Sequence, residues 1–523
     1  MNGLANRTPA DGAIRAGARL APLELLAVAA VMAVALWLRL GDFREPFGGV
    51  AWSHLSARLA LQGRNFAEHG YTVTHFAPAS DAVPPADGLW QTYVNHPPLL
   101  SLALSLSFRV FGTHEWAGRL VMVASSMGAL LALWALTRRL FGPAAAFVAA
   151  ALGATIPITA FYGSLLNENG SLLLLFVALA LLVYCRELER PTRGGLALLL
   201  GLLVLAALTD WQGHLLAGLL ACHELWRGRR ARAAALVGVV LAMVALHAVW
   251  VLAVRDVTLG GGPNGGAEGG LVKVFWGRSW GGVATLGGPV RVLRKLLGRY
   301  ILDLYTLPVI VLAVLGLFRL RRATQPSLVV VMLLFGLLDL MIFAEGAVRH
   351  AFWNVTLAPA LLALAGGGAA GALALLRPVP LRTASVGLLA LAAATPGALA
   401  TRDRFAVQRD DFYYATLGRV IQQHTRPGDR VGTCENWSDP LLFYARRRLD
   451  CDLTDRWIPA AGLPDSLAPE AAFVIPERSY APPGVVHEHA RRLSLLSATY
   501  PEEMEDTVAC GRVHIFDLRR RLP

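Results

Sequence analysis

The sequence predicts an all-α polytopic membrane bundle of about eleven transmembrane helices, followed by a small C-terminal α/β soluble domain. Three observations predict it. Apolar runs recur from Ala21 to Ala400, each long enough or nearly long enough to cross a bilayer core of ~30 Å. Of 523 residues, 55% are hydrophobic and only 16% charged, with mean hydropathy +0.50. Beyond residue 400 the long runs give way to short segments with turn residues between them. The runs do not alternate, so helices rather than barrel strands are the spanning elements.

Eleven spans are expected at roughly 20–40, 119–137, 143–165, 171–185, 195–209, 213–226, 233–254, 300–318, 327–344, 352–376 and 383–400. The first is too long for a typical signal-peptide core and lacks a clear cleavage site, so it reads as a retained helix. The pair at 195–209 and 213–226 is short. The segment Pro98 to Phe111 reads as a helix in or dipping into the outer interface.

Arginine sets the expected topology. Arg7, Arg15 and Arg19 precede the first span, which places the N-terminus in the cytoplasm. Arg138-Arg139, Arg186 to Arg193, Arg227 to Arg232, Arg319 to Arg322 and Arg377 to Arg382 then all fall inside. The odd count sends the C-terminus out. All long connections face outward: the loop 41–97 with interfacial helices, the loop 255–299, and the domain 401–523, which follows the transmembrane domain 1–400. Any chemistry is therefore expected on the outer face.

The net charge of +12 is carried by the membrane part. From Thr401 onward there are seventeen Arg, no Lys and eighteen Asp plus Glu. Lys273, Arg278, Arg291, Arg294, Lys295 and Arg299 lie in an outward loop, outside the usual cytoplasmic bias. They read either as an interfacial helix touching lipid head groups or as cations that hold a lipid-linked phosphate. Nucleic acid is excluded as a partner, because the basic residues sit at membrane boundaries. The Gly-rich stretch 260–270 has no strand before it and no Lys-Ser/Thr after it, so it reads as a hinge or lid rather than a P-loop.

The C-terminal segment is expected to form a helix at Phe412 to His424 and strands at Arg430 to Cys434, Cys451 to Leu453, Ala471 to Ile475 and Val513 to Leu518, with a helix at Pro440 to Arg447. Cys434, Cys451 and Cys510 lie in this outward domain, with Cys434–Cys451 the favoured bridge. No Cys/His spacing resembles a structural zinc site. The triplets Asn354-Val355-Thr356 and Asn436-Trp437-Ser438 carry little weight as glycosylation sites.

The chemistry-bearing residues gather at outer helix ends. Asn167-Glu168-Asn169 sits between two apolar runs, where a carboxylate is costly unless it functions. Glu168 is the first candidate to orient or deprotonate an acceptor or to hold a metal; otherwise it is a helix-end carboxylate. Asp42 is the second acid, or a solvated residue capping a turn. Asp210 beside Trp211 could bind sugar hydroxyls. His54 and His96 could act as base or hydrogen-bond donors. Arg349 and His350 are candidates for a donor phosphate, or else snorkel to the interface. Asn167 joins the candidate binding set. Glu168 and Asp42 could together hold a divalent metal, but no spacing demands one.

Several of these residues resemble a known pattern. Tyr93-Val94-Asn95-His96-Pro97-Pro98-Leu99, Phe111-Gly112, Glu115-Trp116-Ala117-Gly118-Arg119-Leu120 and Arg139-Leu140-Phe141-Gly142 are similar to a motif succession of the protein O-mannosyltransferase-like glycosyltransferases. That group, glycosyltransferase family 39 with its aminoarabinose-transferring relatives, lies within the GT-C superfamily. The resemblance covers roughly residues 20 to 360. It implies a polyprenyl-phosphate-sugar donor, inverting transfer to a lipid, glycan or protein acceptor, and eleven to thirteen helices. It also implies an acid in the first outer loop, yet Phe47 to His54 contains no carboxylate. The reading is therefore a membrane glycosyltransferase of a bacterial inner membrane, acting on its extracytoplasmic face among membrane lipids. The alternative is a non-catalytic protein of the same fold, or a transporter of lipid-linked sugars. A transporter would bury charges near mid-span; only Asp339 does so here.

Overall fold

The computed structural model describes residues 21–48, 53–254, 257, 275–374, 379–408, 412–433, 439–450, 471–476, 493–494, 496–498 and 500–519. The Gly-rich stretch 260–270, Lys273, Cys434, Cys451 and Asn436 lie outside them.

A helix occupies each of the apolar runs. The first is α1 (Pro22–Arg39), and α2 (Ser53–His69) and α3 (Leu99–Phe111) follow in the first loop region. Next come α4 (Glu115–Phe141), α5 (Pro143–Thr155), α6 (Ser171–Glu189), α7 (Arg193–Thr209), α8 (Gln212–Trp226) and α9 (Arg230–Ala253). The second half holds α10 (Pro289–Gly298), α11 (Leu307–Leu317), α12 (Pro326–Ile342), α13 (Ala344–Arg349), α14 (Ala358–Leu373) and α15 (Val379–Gln408). Among the described residues, six stretches are long and apolar enough to cross a bilayer, and five shorter apolar helices accompany them.

Two expected spans are broken. The run at 143–165 is helical only to Thr155; Ile156-Pro157 stops it, since a residue before proline disfavours the helical region, and turns continue to Ser164. The run at 300–318 begins as a π-helix, Arg299–Leu304, and restarts at Leu307 with Pro308 in its first turn. The two breaks meet: the Ile158 N–H donates to the Leu304 carbonyl at 3.2 Å.

Close helix packing depends on the glycine run of α14. A Cβ on Gly366 would come within 2.2 Å of the Ala145 carbonyl oxygen, and one on Gly368 within 2.1 Å of that of Leu312. Small residues at these positions let α14 lie against α5 and α11. The Phe-Gly pairs at 111–112 and 141–142 also have a physical reason. Each glycine ends a helix at positive φ, +82° for Gly112 and +93° for Gly142, where a side chain would be strained.

The bundle has two chemically different ends. Nineteen residues of α6, at 1.5 Å each, separate them by about 28 Å. One end holds Arg139–Glu189 (2.9 Å) and Arg232–Glu187 (3.0 Å) beside Arg186 and Arg190. The other holds Glu168. Along α10, Val290, Leu293 and Leu297 are exposed beside Arg291, Arg294 and Lys295, the pattern of a helix lying in an interface.

Helix α15 continues through residue 400 to Gln408. After it come α16 (Tyr413–His424), β1 (Arg430–Thr433), α17 (Asp439–Ala445), β2 (Arg448–Asp450), β3 (Ala471–Pro476), β4 (Glu502–Thr507) and β5 (Gly511–Asp517). They form a mixed sheet of order β2-β1-β3-β5-β4, parallel at β2/β1/β3 and antiparallel at β3/β5/β4. Strand β4, Glu-Glu-Met-Glu-Asp-Thr, carries no apolar alternation because it is an exposed edge. Cys510 is buried, and its Sγ–H donates to the Tyr413 carbonyl at 3.5 Å. Asn354 is fully buried, its amide donating to the carbonyls of Ala347 and Ala351, so it offers no accessible acceptor.

Candidate active site

The site is assembled where the turn before α6, the turn before α8, the start of α3 and helix α2 meet. Pro97-Pro98 fixes the chain as it enters α3, with Pro98 as the N-cap. This sets His96 against the α7–α8 turn, where its Nδ1–H donates to Asp210 Oδ1 at 2.9 Å. The second oxygen of Asp210 accepts from Asn169 Nδ2, which also donates to Gln212 Oε1 at 3.1 Å. The Trp211 backbone N–H donates to Asp210 (2.7 Å), and its indole Nε1–H to the Asn95 carbonyl (2.8 Å). Asp210 and Asn169 are fully buried, and His96 is nearly so. Burial alone would lower the His96 pKa, but Asp210 outweighs it and lifts it to about 9. His96 is thus an imidazolium at neutral pH.

Glu168 lies beside this pair. It is 7% exposed, yet among the described residues no group hydrogen-bonds its carboxylate. Its charge acts on His96, on Tyr93, which stacks on His96 at 5.6 Å, and on Arg58 of α2. The flanking asparagines divide their roles. Asn169 belongs to the Asp210 cluster, whereas Asn167 donates to the carbonyls of Tyr162 (2.9 Å) and Leu165 (3.0 Å) and so closes the turn that presents Glu168.

Cations converge on the same place. Arg278 pairs with Glu345 Oε2 at 3.4 Å, and Arg349 pairs with the other oxygen of Glu345. His350 is stacked on Trp353 (5.8 Å), which meets His96 edge-on at 6.1 Å. Burial first, then the charges of Arg278, His96, Arg349 and His54, push the His350 pKa down to about 3. A neutral imidazole that feels four basic groups marks a place of positive potential. Arg349 and Glu168 therefore belong to one end of the bundle.

Asp42 occupies a different cluster. It faces Arg119, which is fully buried and donates to the carbonyls of Phe43 (3.5 Å), Glu45 and Pro46 (3.5 Å) while packing over the Phe47 ring at 5.0 Å. Arg119 thereby folds the loop after α1. Among the described residues, no three His, Cys, Asp or Glu are arranged to hold a metal ion. His54 lies on α2 one turn before Arg58; burial lowers its pKa, against the charge of Asp439. Asp339 accepts from Thr356 (2.8 Å) and lies within electrostatic range of Gln212 and Asp210, next to the Asp210 cluster.

Sequence reading did not single out Arg58, Asn169, Gln212, Tyr93 or Asp439 for the site. Arg58 had a signal, since it follows His54 by four residues and shares its helical face. Asn169 and Gln212 each lie within two residues of a chosen acid. Asp439 had none, because its partner is 381 residues away.

A multi-pass helical bundle with this site at one end, followed by a small sheet domain, is an architecture this chain shares with solved membrane proteins. The family model described as dolichyl-phosphate-mannose-protein mannosyltransferase matches residues 95–254, the stretch that holds His96, Glu168 and Asp210. ArnT from Cupriavidus metallidurans, in its crystal structure bound to undecaprenyl phosphate, superposes with a TM-score of 0.60 at 16% identity, covering 95% of this chain and 99% of that one. Its apo form gives 0.61 at 16% identity, covering 95% and 98%. The Archaeoglobus fulgidus oligosaccharyltransferase in its apo form gives 0.50 at 14% identity, covering 91% of this chain and 69% of that one. Among curated proteins, none matches by sequence.

Proposed function

We propose that the chain is a membrane glycosyltransferase that takes a sugar from a polyprenyl-phosphate carrier and passes it, with inversion, to an acceptor on the extracytoplasmic face of a bacterial inner membrane. The observation that carries this reading is the meeting of His96, Arg278 and Arg349 around His350, with His96 and Arg58 both within electrostatic range of Glu168. A phosphate leaving group needs cations, and an acceptor hydroxyl needs a base. The undecaprenyl phosphate bound by the similarly folded ArnT supports a lipid-linked donor. An apolar cavity of about 300 Å³ behind His96, lined by Pro97, Pro98, Leu208, Met243, Leu246 and Trp250, suits the first isoprene units of a carrier. The basic end of the bundle, 28 Å away by the length of α6, supports the orientation with the N-terminus inside.

In this reaction the acceptor O–H gives its proton to the Glu168 carboxylate as its oxygen bonds to the anomeric carbon. The carbon–oxygen bond to the carrier phosphate breaks, and that electron pair stays on the phosphate. Arg278 and the His96 imidazolium stabilise the growing charge, and attack from the opposite side inverts the anomeric centre. Asp210, Asn169 and Gln212 hold His96 in place. Trp211 fixes the backbone at Asn95, beside His96.

The test is transfer from radiolabelled undecaprenyl-phosphate sugars by the purified chain in nanodiscs with membrane extract as acceptor. Arg278→Ala is expected to raise the donor KM by about 10–100-fold, the loss of a charge-assisted phosphate contact. Arg349→Ala, whose side chain is 51% exposed, is expected to have a smaller effect. Transfer by the wild type with an unchanged donor KM in Arg278→Ala would remove Arg278 from donor binding. No transfer of any sugar would overturn the reading.

A further inference from the structure

The stretch of the first loop from Phe47 to His54 has no carboxylate, yet a carboxylate does reach the face of α2 that bears His54 and Arg58. It comes from the C-terminal domain. Helix α17 docks on α2 at several points. The Phe443 carbonyl accepts from Arg64 Nη1 at 2.8 Å, and the Phe443 ring meets Phe47 edge-on at 5.2 Å. The Tyr444 hydroxyl donates to Glu115 (2.8 Å) and accepts from the Phe47 N–H (2.7 Å). Leu442 and Phe443 are buried in one apolar cluster with Ala57, Leu61, Leu166 and Leu172. Arg446 pairs with Glu68 at 3.4 Å. This interface places Asp439, only 7% exposed, against Arg58, whose Nε donates to Oδ2 at 3.1 Å and whose Nη2 lies 3.0 Å from the same oxygen in an ion pair.

We propose that Asp439 is a positioning residue of the glycosyl-transfer site, and that the C-terminal domain completes that site by holding Arg58 beside Glu168. The fork of Arg58 is used on one side only. Among the described residues its Nη1 makes no hydrogen bond, so two N–H donors remain for a phosphate or sugar oxygen. An arginine held by a carboxylate on one edge keeps a fixed orientation on the other, which lowers the entropy lost when a substrate binds. Glu168 and Tyr93 lie within electrostatic range of the same guanidinium. Asp439 also acts on His54, together with Arg58 on the same helix, and His54 in turn acts on His350. Removal of the domain's carboxylate therefore loosens Arg58 and changes His54 at once. The proposal rests on the glycosyltransferase reading for what Arg58 binds, but not for the Asp439–Arg58–His54 arrangement itself.

The test uses the full chain in nanodiscs and radiolabelled undecaprenyl phosphate as the probe. Asp439→Asn is expected to weaken binding about 10-fold, Asp439→Glu to stay within about threefold, and Asp439→Asn to add nothing in an Arg58→Gln background. Arg446→Ala removes a docking contact away from the site and is expected to bind as the wild type does. Equal loss in Arg446→Ala and Asp439→Asn would reduce Asp439 to a docking contact, and unaltered binding in Asp439→Asn would overturn the proposal. If the wild type fails to bind the probe, the functional reading fails by itself. The arrangement is then judged by diethylpyrocarbonate labelling of His54 against pH, read by mass spectrometry. The midpoint is expected to fall in Asp439→Asn, because a neighbouring anion is lost, and an unmoved midpoint would sink the arrangement.

Discussion

Glu168→Gln is expected to lower sugar transfer by about 10²–10⁴-fold, the range for loss of a general base, while the protein folds and docks its C-terminal domain normally. The substitution keeps the shape and removes the charge. Glu168 makes no hydrogen bond among the described residues, so its loss leaves no partner stranded. The turn that presents it is closed by Asn167, not by Glu168. A melting temperature close to that of the wild type is therefore expected, which separates chemistry from stability. Glu168→Asp should keep part of the rate, because the carboxylate remains but is set back by one methylene. Equal rates in wild type, Glu168→Gln and Glu168→Asp would remove Glu168 from the mechanism.

Asp210→Asn is expected to damage both binding and stability, with a dependence on pH that identifies the cause. In the folded chain the His96 pKa is raised to about 9, with burial opposing and Asp210 prevailing. A raised pKa means that the imidazolium is the form the fold favours. Its stabilisation is complete below about pH 6.5, the ordinary histidine value, and is lost as pH rises through about 9. In Asp210→Asn the carboxylate is gone and burial acts alone, so His96 should become neutral at a lower pH. Removing one partner of a buried pair costs roughly 3–5 kcal/mol. Melting temperatures are therefore expected to differ most between wild type and variant below about pH 6.5 and to converge above about pH 9.5. Undecaprenyl phosphate affinity should fall through about pH 9 in the wild type and at least one unit earlier in the variant. The same midpoint in both proteins would show that Asp210 does not govern His96.

Much of the architecture was legible because membrane helices are written as long apolar runs. The Phe-Gly pairs at 111–112 and 141–142 were legible as a pattern, and the structure supplies their reason in two helix ends at positive φ. The breaks at Ile156-Pro157 and Thr306 were not legible, because hydropathy does not register a turn made of apolar residues. Asp210 and His96 could each be picked out, but their pairing could not, since the α7–α8 turn and the start of α3 are brought together only by the bundle. Asn167 shows the limit from the other side: it stands next to Glu168 in sequence, yet its amide serves the backbone. Asp439 was hidden because its partner Arg58 lies in the other domain, 381 residues away. Strand β4 was hidden because an exposed acidic edge has no apolar face to betray it.

The most direct measurement is a cryo-electron microscopy structure of the chain in nanodiscs with undecaprenyl phosphate. The expected result is phosphate density within hydrogen-bonding reach of Arg278, His96 or Arg58, close to Glu168, with the chain of the lipid leaving toward Pro97 and Trp250. Phosphate density at the opposite end, beside Arg139 and Arg186, or none near Glu168 at saturating lipid, would contradict it.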